Sequence, residues 1–176
     1  MSETRSPEHP SYSLRPATAA DAGYLGEMLL AAFNWDPTWP GFTLAKLRAD
    51  PKLWKYVDGW PAAGEQGTIA EATNTDGSGA LVGAAWWRYF PAERPGYGFV
   101  AADVPEITLA IAADWRGRGV GRALLRALLD QARAAGLTRI SLSVERANAA
   151  AAGLYTAEGF EIVGGDKDAD TMVKHL

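Results

Sequence analysis

A segment rich in glycine and arginine is the part of this sequence best suited to bind an anion. It runs from residue 111 to residue 122, reads IAADWRGRGVGR, and lies between a predicted strand and a predicted helix. The first four amides of a helix have no partner within the helix, and the helix dipole favours negative charge there. Three arginines add positive charge beside those amides, while the glycines allow a bulky anion to approach the backbone. These features predict a pyrophosphate site.

Two other interpretations of this segment are weaker. The first is a solvated helix start with exposed arginines. The second is a dinucleotide fold, which needs the pattern G-x-G-x-x-G. Counting from Gly117 places Arg122 at the third glycine position, and counting from Gly119 places Leu124 there. Glu145 follows the next strand, as an acidic ribose ligand would, but about 100 residues precede the motif. The sequence contains no G-x-x-x-x-G-K, which excludes a P-loop.

Two motifs carry a resemblance to a known family. Arg116-x-x-Gly119-x-Gly121 resembles the R/Q-x-x-G-x-G/A signature of the GCN5-related N-acetyltransferase (GNAT) family. The segment from 148 to 160, NAAAAGLYTAEGF, is similar to that family's N-x-x-A-x-x-L-Y-x-x-x-G-F ending. The resemblance extends over residues 11–176 and includes the order of the elements. It implies an N-acetyltransferase that uses acetyl-CoA as co-substrate and needs no metal.

The resemblance also implies which residues bind the co-substrate. In this family the fourth and fifth strands splay apart, and the pantetheine arm of CoA lies between them like an added strand. The pyrophosphate lies on the amides of a glycine loop, which corresponds to residues 117–122 of this sequence. Asn148 matches a position that contacts the arm, and it is also suited to cap a helix. The implied binding residues are Leu109, Ala110, Ile111, Arg116, Gly117, Arg118, Gly119, Val120, Gly121, Arg122 and Asn148.

Tyr155 matches the family's general acid, which protonates the departing thiolate of CoA. A hydroxyl within hydrogen-bond reach of the sulfur accelerates acyl transfer by roughly 10²–10⁴. The alternative is a tyrosine that packs in the core with its hydroxyl satisfied.

The attacking amine must lose a proton, and Glu106 is the best candidate for the base that takes it, directly or through one water. Strand alternation places Glu106 on one face with Thr108 and Ala110. Glu145 and Ser143, on the polar face of the fifth strand, are weaker candidates. No covalent nucleophile stands out, which favours direct transfer.

Aromatic residues are concentrated in two regions. On the strand over 80–90, alternation separates Trp86 from Trp87, so that they point to opposite faces. One face is expected to be core, and the other to form a wall of the acceptor pocket with four tryptophans from the helical region. Such a wall binds flat or cationic acceptors. The alternative is that all of these residues are core aromatics. The four tryptophans are Trp35, Trp39, Trp54 and Trp60.

The composition excludes several other kinds of protein. The 176 residues include no cysteine, and the two histidines, His9 and His175, lie near opposite ends. A disulfide, a thiolate zinc site and a histidine-based catalytic centre are therefore not expected. The net charge of −4 argues against nucleic acid as a main partner. No apolar run is long enough to predict a membrane span, and the polar start lacks the apolar core of a signal peptide, so the cytoplasm is the default compartment.

Local patterns predict the order strand, two helices, three strands, helix, strand, helix, two strands. The predicted elements cover 11–15, the segment after Asp21, 43–49, 68–73, 80–90, 105–112, 119–135, 139–145, 148–157, 160–163 and 171–173. This order is typical of an α/β (α+β) fold with a mixed, mostly antiparallel central sheet flanked by helices. We expect one domain over 11–176, a disordered lead-in over 1–10, and a hairpin turn at 74–77.

The leading hypothesis is an enzyme that transfers the acetyl group of acetyl-CoA to a primary amine of a small molecule or peptide. The alternative is a non-catalytic acyl-CoA-binding module of the same fold. The sequence does not identify the acceptor or the length of the acyl group. Dimerisation is common in such folds, so a homodimer is an open alternative to a monomer.

Overall fold

The computed structural model describes residues 11–73 and 79–176. The predicted lead-in at 1–10 and the predicted hairpin turn at 74–77 lie outside the described residues. The strands are β1 (Ser11–Pro16), β2 (Gly67–Thr73), β3 (Gly79–Arg88), β4 (Glu106–Ile111), β5 (Arg139–Glu145), β6 (Glu161–Gly165) and β7 (Ala169–His175). The α-helices are α1 (Ala22–Phe33), α2 (Leu44–Ala49), α3 (Pro51–Trp54), α4 (Val120–Ala134) and α5 (Ala149–Ala157).

The strands form one mixed sheet in the order β1-β2-β3-β4-β5-β7-β6. Every neighbouring pair is antiparallel except β4 and β5, which run parallel and are connected through α4. The predicted mixed, mostly antiparallel sheet flanked by helices is therefore confirmed.

The parallel pair separates soon after it begins. In the described residues β4 and β5 are in register at one position only, Glu106 with Ser141, next to a hydrogen bond of 3.0 Å from the Ser141 N–H to the Pro105 carbonyl. Beyond it β4 stays paired with β3, since the Ala112 N–H still donates to the Val82 carbonyl. Strand alternation then directs the amides of Leu109 and Ile111 away from β3 and into the gap. The expected splay of the fourth and fifth strands is confirmed.

The two faces of the sheet carry separate hydrophobic cores. The face of Trp86 packs against α1 and α2, and the face of Trp87 packs against α4 and α5. Both indoles are fully buried, and each donates a hydrogen bond to a backbone carbonyl, Trp86 to Tyr56 and Trp87 to Gly64. The prediction that these two rings point to opposite faces is confirmed. The prediction that one of them forms a wall of the acceptor pocket is wrong, because both are buried in the core.

Local patterns predict no helix or strand over residues 52–64, but this segment begins within a helix, α3. The Asp50 side chain accepts from the Lys52 N–H, and Pro51 occupies the first turn of α3. The proline keeps Asp50 extended and so ends α2, while its fixed φ suits the start of a new helix.

No helix within 11–73 and 79–176 is long and apolar enough to cross a membrane.

Candidate active site

A cavity of about 1050 Å³ lies along the gap between β4 and β5. On one side of the sheet it is lined by the end of α1, including Phe33. On the other side it is lined by the start of α4, including Gly121, and by α5, including Tyr155. Because α1 and α4 cover opposite faces, the cavity connects the two faces through the sheet. Two molecules that approach from opposite faces can therefore meet inside it.

The glycine loop forms one end of this cavity. Gly117 and Gly119 have φ of +72° and +82°, a left-handed backbone that side chains rarely adopt. Gly119 caps α4, and the unpaired amides of the first turn follow it. Val120 is buried, so it offers only its backbone to a ligand. This local geometry explains why the loop needs glycines where the sequence has them.

The three arginines of the loop have different surroundings. Arg116 and Arg122 line the cavity, and Arg122 also pairs with Glu158 at 3.1 Å. Arg118 lies over the Trp115 ring, with its guanidinium carbon 5.1 Å from the ring centroid. The structure thus brings two of the three predicted cations to the cavity.

The start of α5 forms the wall opposite β4. The Asn148 side chain caps this helix by accepting from the Ala151 N–H at 3.2 Å, and the residue also lines the cavity. Tyr155 lies further along the same helix, buried, with its ring edge-on to Phe160 at 5.7 Å between centroids. Burial raises the pKa of the Tyr155 hydroxyl to about 12. The phenol is therefore neutral at ordinary pH, as a proton donor must be.

Glu106 lies at the start of β4, on the α1 side, and is 4% exposed. Its Oε1 accepts two hydrogen bonds of 2.9 Å, from the Tyr56 hydroxyl and from the Gly98 N–H. Its buried Oε2 has no partner among residues 11–73 and 79–176. Burial raises the pKa of this carboxyl to about 7, against the opposing effects of the two hydrogen bonds and of Lys55. A carboxyl of this pKa exchanges protons readily near neutral pH.

Two neighbours of Glu106 escaped the sequence analysis. The Tyr56 hydroxyl that donates to Glu106 accepts in turn from the Tyr97 N–H at 2.7 Å. A Cβ added to Gly96 would lie 1.9 Å from Glu106 Oε2, so a glycine is needed there. Tyr56 comes from the segment without periodicity and contacts a residue 50 positions away. No local pattern indicates either contact.

Ser141 is a third such residue. It is fully buried and in register with Glu106, and its Oγ also lacks a partner within the described part of the chain. Ser143 and Glu145 on the same polar face of β5 were predicted as candidate bases, whereas Ser141 was not, although strand alternation places it on that face as well. Ser143 and Glu145 line the cavity beyond it, and Glu145 Oε2 accepts from Trp35 Nε1 at 3.0 Å. Of the three candidate bases, Glu106 is the deeply buried one.

The predicted aromatic wall is only partly present. Trp35 lines the cavity, whereas Trp60 is buried in the core and Trp54 packs over Gly26. Trp39 is 41% exposed. The other aromatic residues that line the cavity on the α1 side of the sheet, where an acceptor would enter, are Phe33, Phe42, Tyr56 and Tyr97, and none of them was predicted from the sequence.

Metal-ligating residues do not gather in the described ranges. No group of three or more His, Cys, Asp or Glu side chains there could hold a metal ion.

Comparison with known proteins identifies the family. The model of the acetyltransferase (GNAT) family matches residues 31–160. Streptothricin acetyltransferase of Streptomyces lavendulae is 32% identical over 174 residues, which cover 89% of this chain and 85% of that protein. The L-methionine sulfoximine/L-methionine sulfone acetyltransferase of Pseudomonas aeruginosa is 38% identical over 90 residues, 51% of this chain. The chain spans about half of that relative, since the match covers 49% of its length.

Solved structures share the fold. The putative acetyltransferase yncA from Salmonella typhimurium, solved with its cofactor acetyl-CoA, matches with a TM-score of 0.62 and 22% identity, covering 94% of both chains. Ribosomal-protein-alanine N-acetyltransferase from Brucella melitensis matches with a TM-score of 0.62 and 27% identity, covering 93% of this chain and 99% of that one. Together with the family model and the fold described above, these likenesses place the chain in the GNAT family of acetyltransferases.

Proposed function

We propose that this chain transfers the acetyl group of acetyl-CoA directly to a primary amine of a small molecule or peptide. The observation that carries the proposal is the cavity through the sheet. On the α1 side it has the buried Glu106 carboxyl, one oxygen of which has no partner among residues 11–73 and 79–176, and on the α5 side it has the neutral Tyr155. An acyl donor and an amine that enter from opposite faces would meet between these two groups.

The cofactor side offers groups that suit acetyl-CoA. The Leu109 and Ile111 amides face the gap and can pair with the amides of a pantetheine arm, as an added strand would. The first-turn amides of α4, with Arg116 and Arg122 nearby, suit a diphosphate. An acetyl-CoA complex is known for a structure of the same fold.

The proposed reaction divides the proton transfers between two residues. Glu106 takes a proton from the ammonium form of the acceptor, so that the neutral nitrogen can attack the thioester carbonyl carbon. As the new C–N bond forms and the C–S bond breaks, Tyr155 donates its phenolic proton to the departing sulfur, and the nitrogen loses its second proton to water. The products are the N-acetyl amine and CoA thiol, and both side chains then recover their starting protonation by exchange with water.

Direct transfer, without a covalent enzyme intermediate, is supported by the residues at hand. The usual acyl-accepting nucleophiles are a cysteine or a serine activated by histidine. The chain has no cysteine, and His9 lies outside the described residues. His175 pairs with Arg139, at the end of β5 opposite Glu145. No histidine in the described ranges therefore reaches the cavity-lining serine, Ser143.

The direct test is the release of CoA thiol. The protein is mixed with acetyl-CoA and a panel of primary amines, and thiol release and N-acetyl product are measured together. The proposal expects both in equal amounts with at least one amine. Acetyl-CoA binding without transfer to any amine would instead support the non-catalytic module.

Blocking the cavity at Gly121 is expected to abolish stabilisation by acetyl-CoA. A Cβ at Gly121 has only ordinary contacts, 3.7 Å from Ile111 and from Leu154, so Gly121→Trp fills the cavity without backbone strain. Binding to the native state alone stabilises the parent by about 2.7 kcal/mol at a hundredfold excess over Kd. A thermal shift assay with and without acetyl-CoA measures this difference.

Gly153→Trp is the matched control. Gly153 lies on α5 with nothing within 4 Å of an added Cβ, and it is exposed. This variant should keep the acetyl-CoA shift of the parent. An unchanged shift in Gly121→Trp would remove the pyrophosphate assignment, and a larger shift with NAD than with CoA would support the dinucleotide interpretation.

A further inference from the structure

The charges that line the cavity are unevenly distributed. The carboxylates Glu106, Glu145, Asp166 and Asp168 line its acceptor side and its mouth. The lining cations, Arg116 and Arg122, belong to the glycine loop at the cofactor end. An acceptor thus meets negative charge along its path, and the lining offers no positive group to a carboxylate there.

Two of these carboxylates, Glu145 and Asp166, line the cavity together with aromatic rings. Glu145 Oε2 accepts from Trp35 Nε1 at 3.0 Å, which joins the segment after α1 to the end of β5. Tyr97 stacks on Tyr56 with ring centroids 6.3 Å apart, and both rings line the cavity together with Asp166. Carboxylates and aromatic rings that line the same cavity are favourable surroundings for an organic cation.

The cations near this mouth already have partners. Lys55 Nζ donates to the Pro95 carbonyl and lies over the Phe90 ring. Arg146 pairs with Asp170 at 2.8 Å and donates to the backbone carbonyl of Asp166. Lys167 lies 3.6 Å from Asp168. Within the described residues neither Glu145 nor Asp166 forms a side-chain ion pair. Asp166 Oδ1 accepts from the Asp168 and Ala169 N–H groups at 2.8 Å, and Glu145 Oε2 accepts from Trp35, so each carboxylate offers its other oxygen to a ligand.

A separate observation marks the inner end of the acceptor side. Glu106 is 96% buried and lines the cavity, and its Oε2 has no partner in the part of the chain that the structure describes. A buried carboxylate oxygen without a partner is costly unless a ligand donates to it. The aromatic side chains of Phe33 and Phe42 line the acceptor side as well. The acceptor side thus has one buried carboxyl at its inner end, Glu106, carboxylates at its opening, Glu145 and Asp166, and aromatic side chains between them.

We propose that the acceptor is an amine with a second positive group. The reacting nitrogen lies at Glu106, an apolar spacer contacts the aromatic walls, and the second cation lies at Glu145 and Asp166 beside Trp35 and Tyr97. This inference rests on the proposed acetyl transfer and names its substrate class. Amines that carry a free carboxylate at the far end are poor acceptors, because that carboxylate would face Glu145 and Asp166.

Three amines of equal chain length test the inference. 1,5-Diaminopentane, pentylamine and 5-aminopentanoate share a primary amine and differ in the charge at the far end. We expect kcat/KM for the diamine to exceed that for pentylamine by about tenfold, the combined effect of two partly exposed ion pairs and a cation–π contact. The value for 5-aminopentanoate should be lower than both.

The double variant Glu145→Gln, Asp166→Asn keeps both side chains as hydrogen-bond acceptors and removes their charge. The ratio of kcat/KM for diamine over pentylamine should then fall to about twofold or less. Asp130→Asn is the matched control, because Asp130 is an exposed carboxylate on α4 that pairs with Arg133 away from the cavity. This control should leave the ratio at about tenfold.

The outcomes separate this inference from the proposed function. If pentylamine or 5-aminopentanoate is acetylated as well as the diamine, the second-cation site is wrong while acetyl transfer to amines stands. An unchanged ratio in the double variant would also overturn the site. If none of the three amines releases CoA thiol while another amine of the panel does, the acceptor class is wrong and acetyl transfer stands. Acetyl-CoA binding without thiol release for any amine of the panel would overturn the proposed transfer.

Discussion

Replacing Tyr155 with phenylalanine is expected to lower kcat by about 10²-fold or more, close to 2.7 kcal/mol of barrier. The variant loses one oxygen and keeps the ring that packs edge-on against Phe160. Acetyl-CoA affinity should change little, because the hydroxyl is proposed to act on sulfur mainly as negative charge develops there. An interaction made only in the transition state lowers kcat and not ground-state binding. Steady-state kinetics and a binding isotherm measure the two quantities.

Tyr24→Phe is the matched control for this change. The Tyr24 hydroxyl is buried in α1 without a partner in the described residues, so its removal should leave kcat unchanged. A thioester with a better leaving group should partly rescue Tyr155→Phe, because a stable thiolate needs less protonation. If Tyr155→Phe kept full activity while Tyr155→Ala lost stability, Tyr155 would be a core residue. Another donor would then protonate the sulfur.

Replacing Glu106 with glutamine is expected to lower kcat/KM by about 10²–10³ at pH 7 and below. In the parent, activity should rise with pH until the Glu106 carboxyl, with its pKa of about 7, is ionised, and then level off. The variant lacks the base and depends on the small fraction of amine that is already neutral. That fraction keeps rising above pH 7, so the deficit should shrink at higher pH.

The pH profile of kcat/KM distinguishes the roles that Glu106 can have. A uniform loss at every pH would mean that Glu106 binds the acceptor and does not act as base. No loss at all would transfer the role to Glu145, to a water chain or to another residue.

Tyr56→Phe is an independent test of the Glu106 pKa. The Tyr56 hydroxyl donates to Glu106 Oε1 and lowers the carboxyl pKa, because it stabilises the ionised form. Its removal should therefore raise the pKa of Glu106 and move the levelling point of the kcat/KM profile to higher pH. If the Tyr56 hydroxyl only supports the structure, its loss would lower kcat/KM by the same factor at every pH and leave the levelling pH unchanged.

Local sequence patterns predicted much of the framework of the site. The glycine loop, the Asn148 cap and the alternation that places Glu106 on the α1 face each depend on residues within a few positions of one another. Turn geometry, capping and strand alternation are set over that range. The order of the elements followed from the same rules, except for α3, where Pro51 begins a helix as well as ending one.

The surroundings of the proposed base depend on contacts that no local pattern encodes. Tyr56 reaches Glu106 across 50 positions, and its hydroxyl accepts from Tyr97 across 41. Both tyrosines come from segments without strand or helix periodicity. Trp86 and Trp87 are a second example. Strand alternation shows that they lie on opposite faces of the sheet, but it does not show that helices cover both faces. Which face borders a cavity is decided by packing between distant segments.

The burial of the Glu106 carboxyl also has a consequence for the free energy of unfolding. Its pKa rises from an ordinary 4.5 to about 7 in the fold, so the native state holds this proton more tightly than the unfolded chain does. Stability therefore falls as pH rises from about 4.5 to 7, by about 3 kcal/mol from this group, and the loss persists above pH 7. Glutamine carries no charge to bury. In urea unfolding, the free energy of unfolding of Glu106→Gln minus that of the parent should therefore be more positive at pH 8 than at pH 4.5. The ionised form of the proposed base would then destabilise the fold at the pH where the base is active.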